Sequence, residues 1–532
     1  MKAAIIVSTV LGATAWAQDT FTNPLVYQDL PDLEVFRVGD AFYYSAGTMH
    51  LSPGATIMKS YDLVNWEMVG HSVPELAFGD DYYMNTTRTA YVGGIWASTL
   101  RYRESNGVFY WYGCIDFAQT HIFTASDPAG PWTQHPPLPD CYYDVGLLVD
   151  DDDTMYLAYG RYDINVVQLS EDGFSAVRDE NVWSDQQTYL EGARFYHINN
   201  RYYIWLTRPA DGQFVLVSDS PFGPYTRHEI LNRMASPIPN AGTPHQGGIV
   251  DTPQGDWYYI GFLDAYPAGR MPVMAPLEWD SSGIPRIVTD SSGGWGLTYP
   301  VPAIEPAGTV VPTGEFSDDF GGAALHPEWQ WNHNPDNSAW ALGGEGLVLS
   351  TATVTDSLVL ARNTLTHRVL GPKSGATFRI NVGGMQDGDV SGVAILRDES
   401  SFIGLRKSGD SLALFTHHGI VLTEANDWQL TERGQEVATA DVELGDVASG
   451  AQDIWLRIVA DVHPTFGTSN NNNPATFHYS TDGETFTELG PALALHNRWQ
   501  FFVAFRFGVF NFATTSLGGS IVVKEFDLQL VD

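Results

Sequence analysis

The stretch TYLEGARFYHINNRYYIWL, residues 188–206, indicates the fold class because a polar turn joins two runs rich in aromatic and β-branched residues. Runs of this composition favour β-strands, and asparagines between them are a turn signal. The same strand, turn and aromatic strand recurs four more times along the chain, as VFRVGDAFYYSAG (35–47), LRYRESNGVFYWYG (100–113), LLVDDDDTMYLAYG (147–160) and GIVDTPQGDWYYIGF (248–262). The first 300 residues therefore carry five copies of one β-hairpin pattern.

The spacing of the five copies is typical of the blades of a β-propeller. Aligned on Tyr43, Tyr110, Tyr156, Tyr203 and Tyr258, the copies lie 67, 46, 47 and 55 residues apart, which is close to the length of one four-stranded blade. Amphipathic helices do not separate the strands, which argues against a βα barrel. A pair of β-sandwiches explains the period poorly. We therefore predict an all-β chain in which five blades close into a ring.

The innermost strand of each blade lines the propeller axis, so equivalent residues before the five hairpins should converge. Counting back 11 to 14 residues from the five tyrosines gives Asp32, Trp96, Asp144, Glu191 and His245. Three carboxylates in one small cavity repel one another, which raises at least one of their pKa values. Glycoside hydrolysis uses two carboxyl groups of separated pKa, one to donate a proton and one to activate water. The pattern predicts such a site, with an aromatic floor for a sugar ring.

Each of these residues also has a purely structural explanation. The alternatives are ion pairs of Asp32 and Glu191 with Arg194 or another basic side chain, a cap on the VDDDD turn for Asp144, a hydrogen-bonded core histidine for His245, and packing alone for Trp96. The run Asp150 to Asp153 is interpreted as a solvated hairpin turn, because four consecutive aspartates resemble calcium ligands only superficially.

The start of the chain and its charge place the protein outside the cell. MKAAIIVSTVLGATAWA, residues 1–17, has one lysine, a short apolar stretch and small residues at Ala15 and Ala17, so we predict a signal peptide and a secreted, extracellular protein. No later stretch approaches 18 uninterrupted apolar residues, which argues against a membrane span. The net charge of −36 repels nucleic-acid phosphates and anionic membranes, so neither is an expected partner.

Two covalent features follow from secretion. Cys114 and Cys141 are the only cysteines; they could form one disulfide, and two are too few for a zinc cluster. The sequon Asn85-Thr86-Thr87 makes Asn85 a candidate for N-glycosylation.

The first 300 residues resemble glycoside hydrolase family 43 through several motifs that follow one another in the order that the family has. These motifs are NPLVYQDLPDLEVFRVGDAFYY, DLVNWE, GGIWASTLRY, YDVGLLVDDDD, LEGARFY, HQGGIVDTPQGDWYYIGF and GRMPVMAPLEWD. The resemblance covers residues from about 21 to 300. It implies a five-bladed propeller whose site holds a catalytic aspartate, a second aspartate that modulates pKa values, and a glutamate that acts as general acid.

Carried over position by position, the resemblance assigns a role to each candidate. Asp32 in LPDL matches the general base, Asp144 in YYDVG the modulator, and Glu191 in YLEGAR the general acid. Arg270 in AGRMPV matches an arginine that contacts substrate in the family. His245 matches the axial histidine that often helps to hold a water-bound calcium or sodium ion. No cofactor is implied as a requirement, although such an ion is allowed in the propeller centre.

The remainder of the chain resembles the concanavalin-like β-sandwich that follows the propeller in many xylosidases and arabinofuranosidases of the family. The predicted domains are therefore a catalytic propeller over 18–300, a Pro- and Gly-rich linker over 301–314 and a sandwich over 315–532. Strands such as SGATFRINVG and SGVAILRD alternate well enough for a two-sheet sandwich. The resemblance implies that this domain packs beside the propeller and contributes a loop to the rim of the pocket.

One departure from the family bears on specificity. The chain has TMHLSPG at 48–54 where family β-xylosidases have an aromatic-rich loop similar to TFEWFPG, so Met49 is expected at a less aromatic, substrate-contacting rim. The resemblance then favours the fungal arabinoxylan branch: an inverting exo-acting enzyme that releases L-arabinofuranose from arabinoxylan, including doubly substituted xylose. The alternatives are a β-xylosidase, an endo-arabinanase, and a carbohydrate-binding propeller without chemistry.

Overall fold

The computed structural model describes residues 20–85, 88–409, 411–442 and 452–532. The predicted signal peptide, residues 1–17, and Thr86 and Thr87 of the sequon lie outside the described residues. Within the described ranges, five four-stranded antiparallel sheets precede two larger sheets. The predicted all-β fold, a five-bladed propeller followed by a β-sandwich, is confirmed. None of the helices in the described part of the chain has the length and apolarity needed to span a membrane.

Each blade is an antiparallel meander of four strands, and the first two strands of every blade are one of the predicted hairpins. Blades I and II consist of Glu34–Val38, Ala41–Ala46, Gly54–Ser60 and Glu67–Val73, then Thr99–Arg103, Val108–Ile115, Gln119–Ala125 and Thr133–Leu138. Blades III and IV consist of Gly146–Val149, Met155–Arg161, Asp163–Leu169 and Ala176–Ser184, then Glu191–Ile198, Arg201–Arg208, Gly212–Ser218 and Thr226–Asn232. Blade V consists of His245–Asp251, Trp257–Asp264, Arg270–Trp279 and Pro285–Ile287.

The burial of the strands explains their composition. The second strand of blade I, Ala41–Ala46, is buried at all six positions, because neighbouring blades cover both of its faces; aromatic side chains fill that space. The outermost strand of blade III, Ala176–Ser184, is mostly exposed and polar. The innermost strands contact one another around the axis, and the innermost strand of blade V contacts that of blade I. The ring is therefore closed at the point where the repeats end, and Thr20–Thr22 pairs with Thr298–Pro300 beside it.

The sandwich consists of two sheets that face each other. The first contains, in spatial order, Gln429–Asp441, Ser411–Thr423, Glu399–Ser408, Asp389–Leu396, Arg506–Ala513, Leu365–Arg368, Gln330–Asn332 and Leu51–Ser52. The second contains Trp340–Gly343, Gly346–Ser350, Ser520–Leu530, Lys373–Asn381, Asp453–Asp461, Asn473–Ser480 and Thr487–Glu488, with Phe316–Asp318 paired to Ser520–Leu530 and Leu493–Leu495 paired to Asn473–Ser480. Three short 3-10 helices are described, Asp80–Tyr83, Leu358–Leu360 and Glu424–Asn426.

The two domains are joined through a shared sheet and buried polar contacts. Leu51–Ser52 belongs to the propeller but pairs with Gln330–Asn332, as the last strand of a sandwich sheet. Asn334 of the sandwich accepts hydrogen bonds from the Ser52 hydroxyl at 2.8 Å and from the Leu76 amide at 2.9 Å. Arg368 donates to the Asp29 carbonyl at 3.1 Å. One apolar core cluster extends through both domains, so separation of the domains would expose part of this core to water.

Expression of residues 18–300 alone is therefore expected to give protein that aggregates or has weakened activity, because the interface with the sandwich would face water. Solubility, circular dichroism and thermal unfolding of this fragment, measured beside the full chain, test the expectation. A soluble fragment that unfolds cooperatively and retains full activity on polymeric substrate would show that the sandwich is dispensable.

Candidate active site

One cavity of about 680 Å³ lies at the end of the propeller axis where the innermost strands begin. Five predicted residues, Asp32, Trp96, Asp144, Glu191 and His245, line it together, one from each blade. Arg270 lines it as well. The remaining lining residues come from the propeller and from loops of the sandwich, and they are Ala97, Tyr143, Tyr189, Arg208, Pro209, Ala210, Gln246, Phe262, Asp264, Tyr266, Phe466, Trp499 and Phe502. The cavity is thus built by both domains.

The base of the cavity holds the carboxylate of Asp32 in an ion pair. Nη1 of Arg270 lies 2.8 Å and 2.9 Å from the two carboxylate oxygens. Both side chains are about 6% exposed, so the pair is shielded from solvent and each charge needs the other. Asp32 has a φ of +57°, a left-handed conformation that aspartate tolerates better than most residues. This backbone turn places the carboxylate ahead of the innermost strand of blade I.

The carboxyl groups of Asp144 and Glu191 are held by different donors. Asp144, with a φ of +51°, accepts a hydrogen bond from the Gly192 amide at 3.1 Å. Its carbonyl accepts from the Ala193 amide at 3.1 Å. Glu191 is the first residue of the innermost strand of blade IV, and its Oε2 accepts from the Tyr143 hydroxyl at 2.8 Å. Hydrogen bonds therefore connect blades III and IV at the two carboxyl groups.

Burial raises the pKa values of Asp144 and Glu191 above those of ordinary carboxyl groups. It raises the pKa of Asp144 well above its usual range, the charges of Glu191 and Asp32 add to the rise, and Arg194 and the Gly192 amide oppose it. Burial also raises the pKa of Glu191, against hydrogen bonds from Tyr189 and Tyr143. Because the two groups repel each other and both lie out of water, the Asp144–Glu191 pair retains a proton more readily than isolated carboxyls do. A proton donor and an ion-paired carboxylate thus share one cavity.

Aromatic rings cross the mouth of the cavity in an unbroken series. The ring of Trp96 lies 6.5 Å from Phe117 and 4.7 Å from Phe502, and Phe502 lies 5.3 Å from Trp499. The two ends are open to solvent, since Phe117 is 66% and Trp499 is 46% exposed. Exposed aromatic faces bordering a polar cavity are suited to the C–H faces of sugar rings.

Comparison with known proteins agrees with this geometry. The model for glycosyl hydrolases family 43 matches residues 21–285, and the model for the β-xylosidase C-terminal concanavalin A-like domain matches residues 317–529. A solved GH43 structure, described as engineered at the active site to display both endo-xylanase and exo-arabinofuranosidase activity, is 48% identical with a TM-score of 0.92, over 96% of this chain and 100% of that one. The chain belongs to glycoside hydrolase family 43.

Curated relatives in family 43 have two kinds of activity in their names. A putative β-xylosidase of Xylanibacter ruminicola is 28% identical over 90% of this chain and 83% of that protein. A non-reducing end α-L-arabinofuranosidase of Bacteroides ovatus is 28% identical over 64% of this chain and 66% of that protein. The chain is therefore a glycoside hydrolase of the xylosidase and arabinofuranosidase type.

The structural alternatives for the predicted residues can now be compared with the contacts. The side chain of Asp32 pairs with Arg270 rather than with Arg194. Asp144 does not cap the VDDDD turn, because its carboxylate faces Gly192. The turn itself is only partly solvated: Asp150 is buried, 2.5 Å from Nδ1 of His197.

Met49 does not occupy the expected position. It is 1% exposed and packs in an apolar cluster with Leu51 and Tyr91, while its backbone forms a bridge with Ile95. The loop 48–54 turns toward the sandwich, where Leu51–Ser52 pairs with Gln330–Asn332 at the edge of a sandwich sheet. The prediction that Met49 contacts substrate is therefore wrong for this geometry, and no side chain of this loop lines the cavity.

His245 does not provide a set of ligands for a directly bound metal. Its Nδ1 lies 2.9 Å from the Thr243 carbonyl, and its ring packs edge-on against Phe262. Among the described residues, a group with metal-ligand spacing occurs elsewhere, at Asp150, Asp151 and His197, beyond the opposite end of the innermost strand of blade III. An ion held through water at His245 stays a prediction, and no chemical step below uses it.

The predicted covalent features lie away from the carboxyl groups. Cys114 and Cys141 form a disulfide with a Cα–Cα distance of 5.0 Å. It ties the end of the second strand of blade II to the segment that leads into Tyr143 and Asp144. Asn85 is exposed, as a glycosylation site requires.

Several residues of the site were not predicted from the sequence. Tyr143 stands directly before a predicted carboxylate, so its adjacency was the available signal. Asp264 adds a fourth carboxyl to the cavity; burial raises its pKa, and His245 and Arg270 oppose that rise. Phe502 and Trp499 lie in the sandwich, more than 200 residues beyond the propeller, and no motif marks them.

Replacement of Tyr143 by Phe tests the electrostatics of the site. The lost hydroxyl stabilises the ionised form of Glu191, so the pKa of Glu191 should rise further. We expect the limb of the pH–rate profile that reports Glu191 to move up by about one pH unit. Tyr142→Phe is the matched control, since Tyr142 is buried next to Tyr143 but does not line the cavity. Coinciding profiles for the two variants would contradict the assignment.

Proposed function

We propose that the protein is an inverting, exo-acting α-L-arabinofuranosidase that releases L-arabinofuranose side chains from arabinoxylan, including side chains on doubly substituted xylose. The observation that carries the proposal is the cavity lined by both domains, in which an ion-paired aspartate and a half-buried glutamate lie beside an exposed aromatic border. A branched polymer needs exposed surface beside the pocket, and the exposed rings of Phe117 and Trp499 extend the aromatic border through their contacts with Trp96 and Phe502.

In this proposal Glu191 donates a proton to the glycosidic oxygen as the bond to the arabinofuranosyl carbon breaks. Burial favours its protonated form, and the Tyr143 hydroxyl on Oε2 leaves Oε1 to carry the proton. Asp32 accepts a proton from a water molecule that attacks the opposite face of the sugar. Arg270 holds the Asp32 carboxylate in place for that step.

Asp144 acts on the other two carboxyl groups rather than on substrate in this proposal. It is buried beside both Glu191 and Asp32, whose charges are among the causes of its raised pKa. Its hydrogen bond from the Gly192 amide also orients the residue that follows Glu191. Asp144 therefore helps to keep the proton on the donor and fixes the direction of the donor side chain.

The choice of arabinofuranose over xylose is supported by similarity and by the loop 48–54. The solved structure that is 48% identical is described as engineered at the active site to display both endo-xylanase and exo-arabinofuranosidase activity, whereas the curated relatives, called β-xylosidase or α-L-arabinofuranosidase, are 25–28% identical. The loop that supplies aromatic residues in the xylosidases docks the sandwich in this chain. A β-xylosidase is the second candidate, because most of the curated relatives have that name.

The same proposal covers the setting of the reaction. The protein is secreted, as the pattern of residues 1–17 and the disulfide suggest. Its partner is arabinoxylan or a related plant cell-wall polysaccharide, since a neutral polymer is compatible with a net charge of −36 and a nucleic acid or an anionic membrane is not. No cofactor is required.

Incubation of the full chain with arabinoxylan and, separately, with xylobiose tests the specificity. We expect free L-arabinose from arabinoxylan and little xylose from xylobiose. Proton NMR of the first product should show the inverted anomer, because water displaces the leaving group in a single step. Enzymes that react in this way have their two carboxyl groups about 6.5–9.5 Å apart, which leaves room for the water. Xylose as the main product would support the second candidate instead. A retained anomer would refute the mechanism, and binding without hydrolysis would favour a carbohydrate-binding propeller.

Glu191→Ala should reduce activity most on substrates whose leaving group needs a proton. On arabinoxylan we expect a loss on the order of 10²–10⁴-fold, and a much smaller loss on an aryl arabinofuranoside with a nitrophenol leaving group. The two substrates serve as controls for each other, because a misfolded variant would lose both activities equally. Equal losses would therefore count against Glu191 as the proton donor.

A further inference from the structure

Arg194 is a fully buried guanidinium at the propeller axis for which the mechanism above has no use. It lies on the innermost strand of blade IV, three residues after Glu191, and is 0% exposed. Burial of a charged side chain costs several kcal/mol unless the charge is paired and every donor is satisfied. The partners of Arg194 therefore indicate what its burial achieves.

The guanidinium donates five hydrogen bonds, and all the acceptors are backbone carbonyls beside the three carboxyl residues. Nε and Nη2 donate to the Leu33 carbonyl at 3.0 Å and 2.8 Å, and Nη2 also donates to the Asp32 carbonyl at 2.9 Å. Nη1 donates to the carbonyls of Ala193 at 2.7 Å and Val145 at 3.3 Å. One side chain thus contacts the backbone of blades I, III and IV.

Such a contact is needed because the blades are separate sheets. No strand of one blade pairs with a strand of another in the described part of the propeller, so backbone ladders do not set the distances between Asp32, Asp144 and Glu191. Asp32 and Asp144 also have φ values of +57° and +51°, a region that persists only where surrounding contacts maintain it. The carbonyls that Arg194 binds include that of Asp32 itself and that of Val145, the residue after Asp144.

The positive charge of Arg194 is balanced by the carboxylate of Glu34. Glu34 is 0% exposed, and its Oε2 lies 3.3 Å from Nε of Arg194. Its Oε1 lies 2.9 Å from Nη2 of Arg101, and the Thr99 hydroxyl donates to Oε2 at 3.0 Å. Arg194 is also one of the charges that hold down the pKa of Asp144. Arg194 is therefore a fixed positive charge between Glu34 and the carboxyl cluster.

We propose that Arg194 is a positioning residue for glycoside hydrolysis: its planar fork locks the backbones that carry Asp32, Asp144 and Glu191 into one geometry across the axis. The proposal rests on the proposed function in that these three carboxyl groups carry out the reaction. Arg194 does not line the cavity, so it acts through them and not on the sugar.

Arg194→Lys keeps the charge but removes the planar fork, because one ammonium group has no fixed set of five donors. We expect kcat to fall on the order of 10²-fold, as misplacement of catalytic groups by about 1 Å does, with KM changed less than about threefold. The limbs of the pH–rate profile should stay in place, since the charge remains. Arg194→Gln removes the charge as well, so the limb that reports the Asp144–Glu191 pair should also move to higher pH.

Arg101→Lys is the matched control. Arg101 binds the same Glu34 carboxylate but donates to the carbonyls of Val35 and Leu147, one or more residues further from the carboxyl groups than the acceptors of Arg194. We expect this variant to lose thermal stability while kcat and the pH–rate profile stay close to those of the parent enzyme. All variants are compared per folded enzyme, with circular dichroism and thermal unfolding recorded at the assay pH.

The outcomes separate this proposal from the proposed function. The assays use whichever of the nitrophenyl α-L-arabinofuranoside and β-D-xyloside the parent enzyme hydrolyses, so a wrong specificity leaves the test intact. A folded Arg194→Lys enzyme with kcat within about threefold of the parent overturns the proposal, as does an equal loss in Arg101→Lys. If Arg194→Lys does not fold, the Arg194→Gln variant, in which Glu34 stays paired with Arg101, is measured against the same kcat criterion. Failure of both to fold also overturns it, because Arg194 would then determine folding.

Discussion

Carboxyl groups that converge on the axis of a propeller must be held close together without water and without a shared sheet. Mutual repulsion and burial both oppose that arrangement. In this chain two buried arginines compensate for it: Arg270 pairs directly with Asp32, and Arg194 pairs with Glu34 below. The rest of the site depends on these two charges, because Arg270 offsets the buried charge of Asp32 and Arg194 opposes the rise in the pKa of Asp144.

Arg270 also connects the cavity to the second domain. Nη2 of Arg270 donates to the Phe502 carbonyl at 3.2 Å. The Asp29 carboxylate accepts from the Arg270 amide at 2.7 Å and from the Ala504 amide at 2.9 Å. The sandwich loop that carries an aromatic wall of the cavity is therefore bonded to the residue that holds Asp32. The same set of hydrogen bonds therefore holds the sandwich against the propeller and positions the ion-paired carboxylate.

The aromatic border and the acidic base of the cavity have complementary effects on a neutral sugar. The packed rings of Trp96 and Phe502 form an apolar surface of the cavity that also holds the carboxyl groups, and exclusion of water by such a surface strengthens electrostatic interactions. Burial is also what raises the pKa of Glu191. The apolar border of the cavity and the raised pKa of Glu191 thus have the same physical origin, the removal of solvent by packing.

The repeat period and the polar residues at one register of it were sufficient to predict the fold class of the propeller and the convergence of Asp32, Asp144 and Glu191, and His245 and Trp96 followed from the same count. Strand and turn preferences depend on neighbouring residues, so they can be read from the sequence. In a closed ring of blades, residues at the same position of each repeat lie close together at the axis, so their proximity could be predicted without a structure. The family resemblance added Arg270 and the sandwich.

The packing between domains decided the remainder. Met49 was predicted at the rim, but its loop turns away to pair Leu51–Ser52 with the sandwich. Trp499 and Phe502 reach the cavity from the other domain, and Arg194, considered from sequence as an ion-pair partner of the catalytic carboxylates, binds backbone carbonyls and Glu34 instead. Contacts between residues hundreds of positions apart leave no periodic signal in a single sequence, because they depend on how two separately folded surfaces meet.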